Sequence, residues 1–172
     1  MVQYRSGPTE SEAGWHAMMN PVLNRLVFVF SLIGIIVAGY LWSMHGHPED
    51  IPCGGSYRGC EDVANSPYSQ FPPGSGPPVA AFGTLGYIAI ATLSFLRTLP
   101  GMAKQDRTLL LLMLVGAAVG SVFSLWLTYL EINVIHAICR WCIGSQTLIL
   151  ILLTLTAMEW ARYNGRKADT AA

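Results

Sequence analysis

The chain has 172 residues, 52% of them hydrophobic and 12% charged, and its formal net charge is zero. Soluble domains carry about 25% charged residues, so the composition argues against an ordinary soluble domain. The neutral balance also offers nothing for a nucleic acid to bind.

Residues 1–20 are polar and mixed and read as an N-terminal segment ahead of the folded part. Long apolar stretches follow, and a bilayer core takes about 20 apolar residues in helical form. The first predicted span runs from about Val22 to Met44, with Arg25 near its start and able to snorkel. No basic leader precedes it and no small-residue cleavage site follows, so it is expected to stay as an uncleaved anchor. A polar loop, 45–78, comes next. The second span runs from about Val79 to Leu96, the third from about Thr108 to Leu130 and the fourth from about Ala137 to Trp160, with 163–172 as a tail. Buried helices of a soluble protein would need polar faces that these segments lack. In lipid the backbone must satisfy itself, which leaves helices. The predicted fold is an all-α integral membrane protein: a four-helix bundle over residues 21–162, capped by the 45–78 loop.

Orientation follows from the cations. The segment RTLPGMAKQDR carries Arg97, Lys104 and Arg107, and the tail region carries Arg162, Arg166 and Lys167. The 45–78 loop holds Arg58 against Glu49, Asp50, Glu61 and Asp62. Basic loops stay in the cytoplasm. Both termini and the 97–107 loop are therefore expected inside, with the 45–78 loop and the turn at Glu131–His136 outside.

That topology puts all four cysteines, Cys53, Cys60, Cys139 and Cys142, on the outer side. The outside of a bacterial membrane is oxidising and sustains disulfides, so thiol–disulfide chemistry leads. Cys139 and Cys142 stand three apart at the outer start of span four, on one helical face. The helix dipole and Arg140 favour a thiolate at Cys139. Cys142 lies one turn deeper, within reach of a lipid-soluble molecule. A zinc tetrathiolate normally uses two close pairs; Cys53-x6-Cys60 is too wide, and no metal is expected. Two static disulfides in a membrane scaffold are the plainer alternative. Gly54, Gly55 and Gly59 give the loop freedom, and Pro72, Pro73, Pro77 and Pro78 stiffen its return. EDVANSPYSQF can begin a short helix after Cys60. His136, one turn before the CxxC, is expected at the interface, with proton transfer as its other role. Glu131 is expected to be a solvated helix-end charge. Ser121, Ser124 and Thr128 either pack helices or line a pocket. Trp126, Trp141 and Trp160 suit interfacial belts, and Trp141 is also placed to touch a ring-shaped ligand.

Cys60-x-x-Val63-x-x-Ser66 followed by Tyr68, then Phe82-Gly83 with Gly86-Tyr87, then the terminal CxxC together resemble the vitamin K epoxide reductase family, in particular its bacterial members. The resemblance covers about residues 20–160. It implies a four-helix bundle around a quinone, ubiquinone, menaquinone or a relative, in the bacterial cell membrane. It implies electrons entering from a thioredoxin-like partner at the loop cysteines, passing to the CxxC and then to the quinone pool. Carried over by position, Cys53 and Cys60 are the shuttle pair, Cys139 exchanges with Cys60, and Cys142 meets the quinone. Ser66 matches a serine that helps hold the cap, and the implied quinone neighbours are Cys142, Gln146, Ser66, Phe82 and Val79. Animal members bond the quinone oxygens through an asparagine and a tyrosine where this chain has Val79 and Gln146. Gln146 can donate a hydrogen bond and Val79 cannot, so plain quinone reduction is expected, with epoxide reduction as an alternative. Some bacterial members carry a fused thioredoxin-like domain after span four; here that partner is expected as a separate protein. The implied activity is a disulfide-forming quinone reductase.

Overall fold

The computed structural model describes residues 20–53 and 59–169. Helix α1 spans Pro21–Ser43, opened by Asn20, whose side chain accepts from the Val22 and Leu23 amides. This cap satisfies two of the amides that a helix start leaves unpaired. A 3₁₀ turn at Pro48–Asp50, the short helix α2 (Gly59–Asn65) and a second turn at Pro67–Ser69 form the cap. Gly54, Gly55 and Arg58 fall outside the described residues. Helix α3 is Val79–Leu96, α4 is Asp106–Leu130 and α5 is Arg140–Asp169. The Glu131–Ile135 segment continues α4 as a π turn. No strand occurs among the described residues, apart from a single bridge between Gln70 and Pro78.

Among the described residues, four helices are long and apolar enough to cross a membrane. They close a ring in the order α1, α3, α4, α5, each packed on two neighbours. The surface is apolar, as lipid requires: Ile36 is 70% exposed, Val122 69% and Val119 65%. The interior holds many small residues, among them Ser31, Ala38, Thr84, Ala91, Ala117 and Ser121. Lipid tails are as apolar as leucine, so helices associate through close packing rather than by expelling water. Gly34 shows how close: a Cβ there would lie 2.4 Å from the Tyr87 ring.

The two ends of the bundle differ. At the end where α1 begins, Arg97 is fully buried. Its Nε donates to Asp106 Oδ1 at 2.7 Å, and its Nη2 pairs with Glu159 Oε1 at 2.9 Å. Asn24 Oδ1 accepts from Arg97 Nη1 at 3.4 Å, and Asn24 Nδ2 donates to the Ser94 carbonyl at 3.0 Å. This network ties all four long helices together. Arg97 is thus not one of the exposed loop cations that its place in the sequence suggests; burying it needs both carboxylates. Lys104 and Arg107 remain exposed there, with Arg107 5.8 Å over the Trp160 ring. The cap and all four cysteines lie at the other end.

Candidate active site

The cap is seated by a few specific contacts. Trp141 Nε1 donates to the Pro52 carbonyl at 3.0 Å, and its ring lies 5.2 Å from that of Tyr40. Trp141 is therefore turned to the cap and does not line the cavity below it. Ser66 Oγ donates to the Val63 carbonyl at 2.7 Å, closing the end of α2. The chain returns to α3 through a tight turn. The Phe71 amide donates to the Pro77 carbonyl at 3.0 Å, and Gly74 takes a φ of 79° that only glycine adopts freely.

Under the cap, Ile51, Cys53, Cys60 and Cys139 form one buried cluster, with Trp141 and Cys142 packed against it. Cys53 and Cys60 are joined by a disulfide, with their Cα atoms 5.7 Å apart. Cys139 and Cys142 are free thiols, Cys139 buried and Cys142 half-buried. The Cys142 amide donates to Cys139 Sγ at 3.2 Å. Cys139 thus immediately precedes the first turn of α5. Its thiol is drawn below the ordinary range, first by the hydrogen bond from the Cys142 thiol and then by the Cys142 and Trp141 amides; burial and the Glu131 charge oppose the shift. The arrangement holds two thiols one turn apart beside a closed disulfide.

Cys60, Cys139 and Cys142 all open onto one cavity of about 390 Å³. That is the scale of a small-molecule site. Tyr68, Phe82, Tyr87 and Phe123 give it aromatic walls, and Gly83, Gly86, Gly116 and Gly120 give it room. Tyr87 is held in place by its hydroxyl, which donates to the Ser145 carbonyl at 2.8 Å. Between α3 and α4 the lining residues Gly86, Gly116 and Val119 are also exposed on the bundle surface. The cavity therefore reaches the lipid-facing side there. A flat apolar ring with a hydrocarbon tail suits this shape, and Ser66, Ser69, Ser124 and Thr128 are among the hydroxyl-bearing residues of the lining.

Residues 25–157 match the model of the vitamin K epoxide reductase family. The chain belongs to that family. Among curated proteins none matches the chain. A member of this family is a multi-pass membrane oxidoreductase that works with a quinone and redox partners, and the all-helical bundle with its cysteine cluster agrees with that membership.

Of the residues singled out in the sequence, Cys60, Cys139, Cys142, Ser66, Phe82 and Val79 line the cavity, and Cys53 lies behind Cys60. Gln146 is not among the lining residues: its side-chain oxygen accepts from the Thr128 hydroxyl. The face of α5 that meets the cavity is Cys142, Ser145 and Ile149, and Gln146 sits beside it. Ser124 and Thr128 line the cavity, while Ser121 is buried between helices. His136 is exposed, with a φ of 57°, ends the π turn and is not among the residues lining the cavity.

Glu131 departs most from expectation. It is not a solvated charge but 4% exposed, and it lines the cavity. Its Oε2 accepts from the Cys139 amide at 3.0 Å, and it shares the cavity lining with Cys142. The π turn makes this possible. An extra residue in the turn lets the His136 and Ala137 amides both reach the Glu131 carbonyl, and the chain then doubles back beside the carboxyl group. The available sequence signal was an acid inside an otherwise apolar run, which in a membrane segment marks a functional site.

Proposed function

We propose that this protein is a membrane thiol:quinone oxidoreductase that reoxidises a separate thioredoxin-like protein and so supports disulfide formation in exported proteins. The observation that carries the reading is the closed Cys53–Cys60 disulfide packed on free Cys139, with Cys142 lining an apolar cavity that opens between α3 and α4.

A partner thiolate attacks the Cys53–Cys60 disulfide through a mixed disulfide, and the partner's second thiol resolves it. The partner leaves oxidised and the loop pair is reduced. Cys60 then attacks Cys139 in the Cys139–Cys142 disulfide, Cys142 leaves as a thiolate, and Cys53 closes again on Cys60. The loop disulfide beside two free thiols matches the state reached at this point. In the last step Cys139 and Cys142 re-form their disulfide, and two electrons and two protons pass to the quinone to give the quinol. In this reading Ser66 keeps the cap closed, Phe82 and Val79 wall the ring, and Gln146 acts through Thr128. The cysteine end faces outside a bacterial cell membrane, and both termini lie in the cytoplasm. Exposed Lys104, Arg107 and Arg162 at the opposite end, against Glu49, Asp50 and Asp62 at the cysteine end, support that orientation.

The test is quinone reduction by the purified protein in detergent, fed by a dithiol, comparing wild type with Cys142→Ala. Turnover lost in the variant supports Cys142 as the electron exit. Turnover absent in wild type with every quinone offered would sink the assignment and restore the scaffold with static disulfides.

A further inference from the structure

Quinone reduction by a dithiol moves two protons as well as two electrons, and the four cysteines account only for the electrons. Among the described residues that line the cavity with Cys142, one carries a carboxyl group, the buried Glu131. The groups around that carboxyl narrow its role. From the residues before α5 the Cys139 amide donates to it, and from α5 Cys142 lines the same cavity. From α2, Cys60 lines the same cavity; it is in a disulfide and does not titrate. The other titratable groups lining the cavity are His45, Tyr68 and Tyr87; among the described residues no lysine or arginine lines it. Among the described residues Glu131 therefore has no lysine or arginine in the cavity holding it as a fixed charge. It shares the space with the reacting sulfurs and the site of the ring.

We propose that Glu131 is a catalytic proton-transfer residue of this site, taking the Cys142 proton as the thiol is oxidised and passing it to the quinone oxygen. The inference rests on the thiol:quinone reading above. The step balances with the quinone as oxidant. The Cys142 S–H bond breaks and its proton goes to the Glu131 carboxylate. The Cys139–Cys142 S–S bond forms with loss of two electrons, and these reduce the quinone. Glu131 returns its proton to one quinol oxygen, and water supplies the second in place of the proton that Cys139 has already lost. The amide of Cys139 holds the carboxylate in line throughout, so the group is positioned by backbone as well as used.

The experiment follows a single turnover of pre-reduced protein in detergent by quinone absorbance, from about pH 5.5 to 9, for wild type, Glu131→Gln and Glu131→Asp. Gln keeps the acceptor for the Cys139 amide and cannot carry the proton. The expected result is a rate about 10²-fold lower in Glu131→Gln, rising with hydroxide concentration because solvent base replaces the carboxylate, with part of the loss recovered in Glu131→Asp. A Glu131→Gln rate within about threefold of wild type, or a slower rate with the wild-type pH profile, overturns the proposal and leaves Glu131 a structural acceptor. The closed Cys53–Cys60 disulfide and the unfolding midpoint report whether the Gln variant folds. Should it not fold, Glu131→Asp decides: a wild-type rate overturns the proposal, and a rate about tenfold lower with the acidic limb retained supports it. Failure of wild type itself to reduce quinone removes both this inference and the reading it rests on, which separates the two.

Discussion

Arg97→Ala is the perturbation that most directly tests how the bundle is held. The side chain is fully buried and makes ion pairs with Asp106 and Glu159 at 2.7 and 2.9 Å. Removing it strands two carboxylates, one from α4 and one from α5, away from water. Breaking a buried pair in this way costs about 3–5 kcal/mol, because the remaining charge loses its partner without regaining solvent. The folding equilibrium should therefore shift by at least about a hundredfold. The assay is reversible unfolding of the purified protein in mixed micelles with increasing denaturing detergent. The triple variant Arg97→Met, Asp106→Asn, Glu159→Gln removes the charges together and should regain most of the loss. Quinone reduction per folded molecule should be unaffected in both, since the network lies at the far end of the bundle from the cysteines. A single variant within about 1 kcal/mol of wild type, or a triple variant no better than the single, would refute the argument that the network is a mutually dependent charge set.

Two further outcomes follow from the site. In reduced protein, alkylation of Cys139 should reach half its maximal rate below the ordinary thiol pKa of about 8.5, since its folded-state value is lowered; replacing Cys142 with Ala should move the midpoint back up, and an unmoved midpoint would count against the hydrogen bond as its main cause. A lowered folded value means that Cys139 contributes stability above the unfolded thiol pKa, and that this is lost as pH falls through the folded value. Gly34→Ala places a Cβ 2.4 Å from the Tyr87 ring and should cost about 1–3 kcal/mol of stability, read by the same micelle titration; it should also raise the KM for quinone, because Tyr87 walls the cavity, and unchanged values of both would mean that the helices separate more easily than their packing suggests.

The spans were legible because hydropathy is a property of long windows and tolerates local error. The resemblance in Cys60, Val63, Ser66, Phe82 and the CxxC was legible because those residues keep fixed spacing. What the sequence hid depends on neighbours in space. Arg97 reads as a loop cation until Asp106 and Glu159 are brought to it by two other helices. Glu131 reads as a helix-end charge because its burial depends on a π turn, and a one-residue change in winding leaves no periodic trace. Gln146 stands one turn from Cys142, and spacing alone puts it on the same face. The cavity instead follows Cys142, Ser145 and Ile149, and Gln146 turns to Thr128. A step of three or of four along a helix is decided by which partner helix lies where.

The gap between α3 and α4 at Gly86, Gly116 and Val119 has a kinetic consequence. A substrate that arrives through the side of the bundle is drawn from two dimensions, not from the aqueous volume. Its effective concentration is then its mole fraction among the surrounding amphiphiles. In detergent the apparent KM should track the ratio of quinone to detergent, and diluting a sample at constant ratio should leave saturation unchanged. In a membrane the same geometry makes turnover respond to how crowded the quinone pool is with quinol, since reactant and product share this lateral doorway.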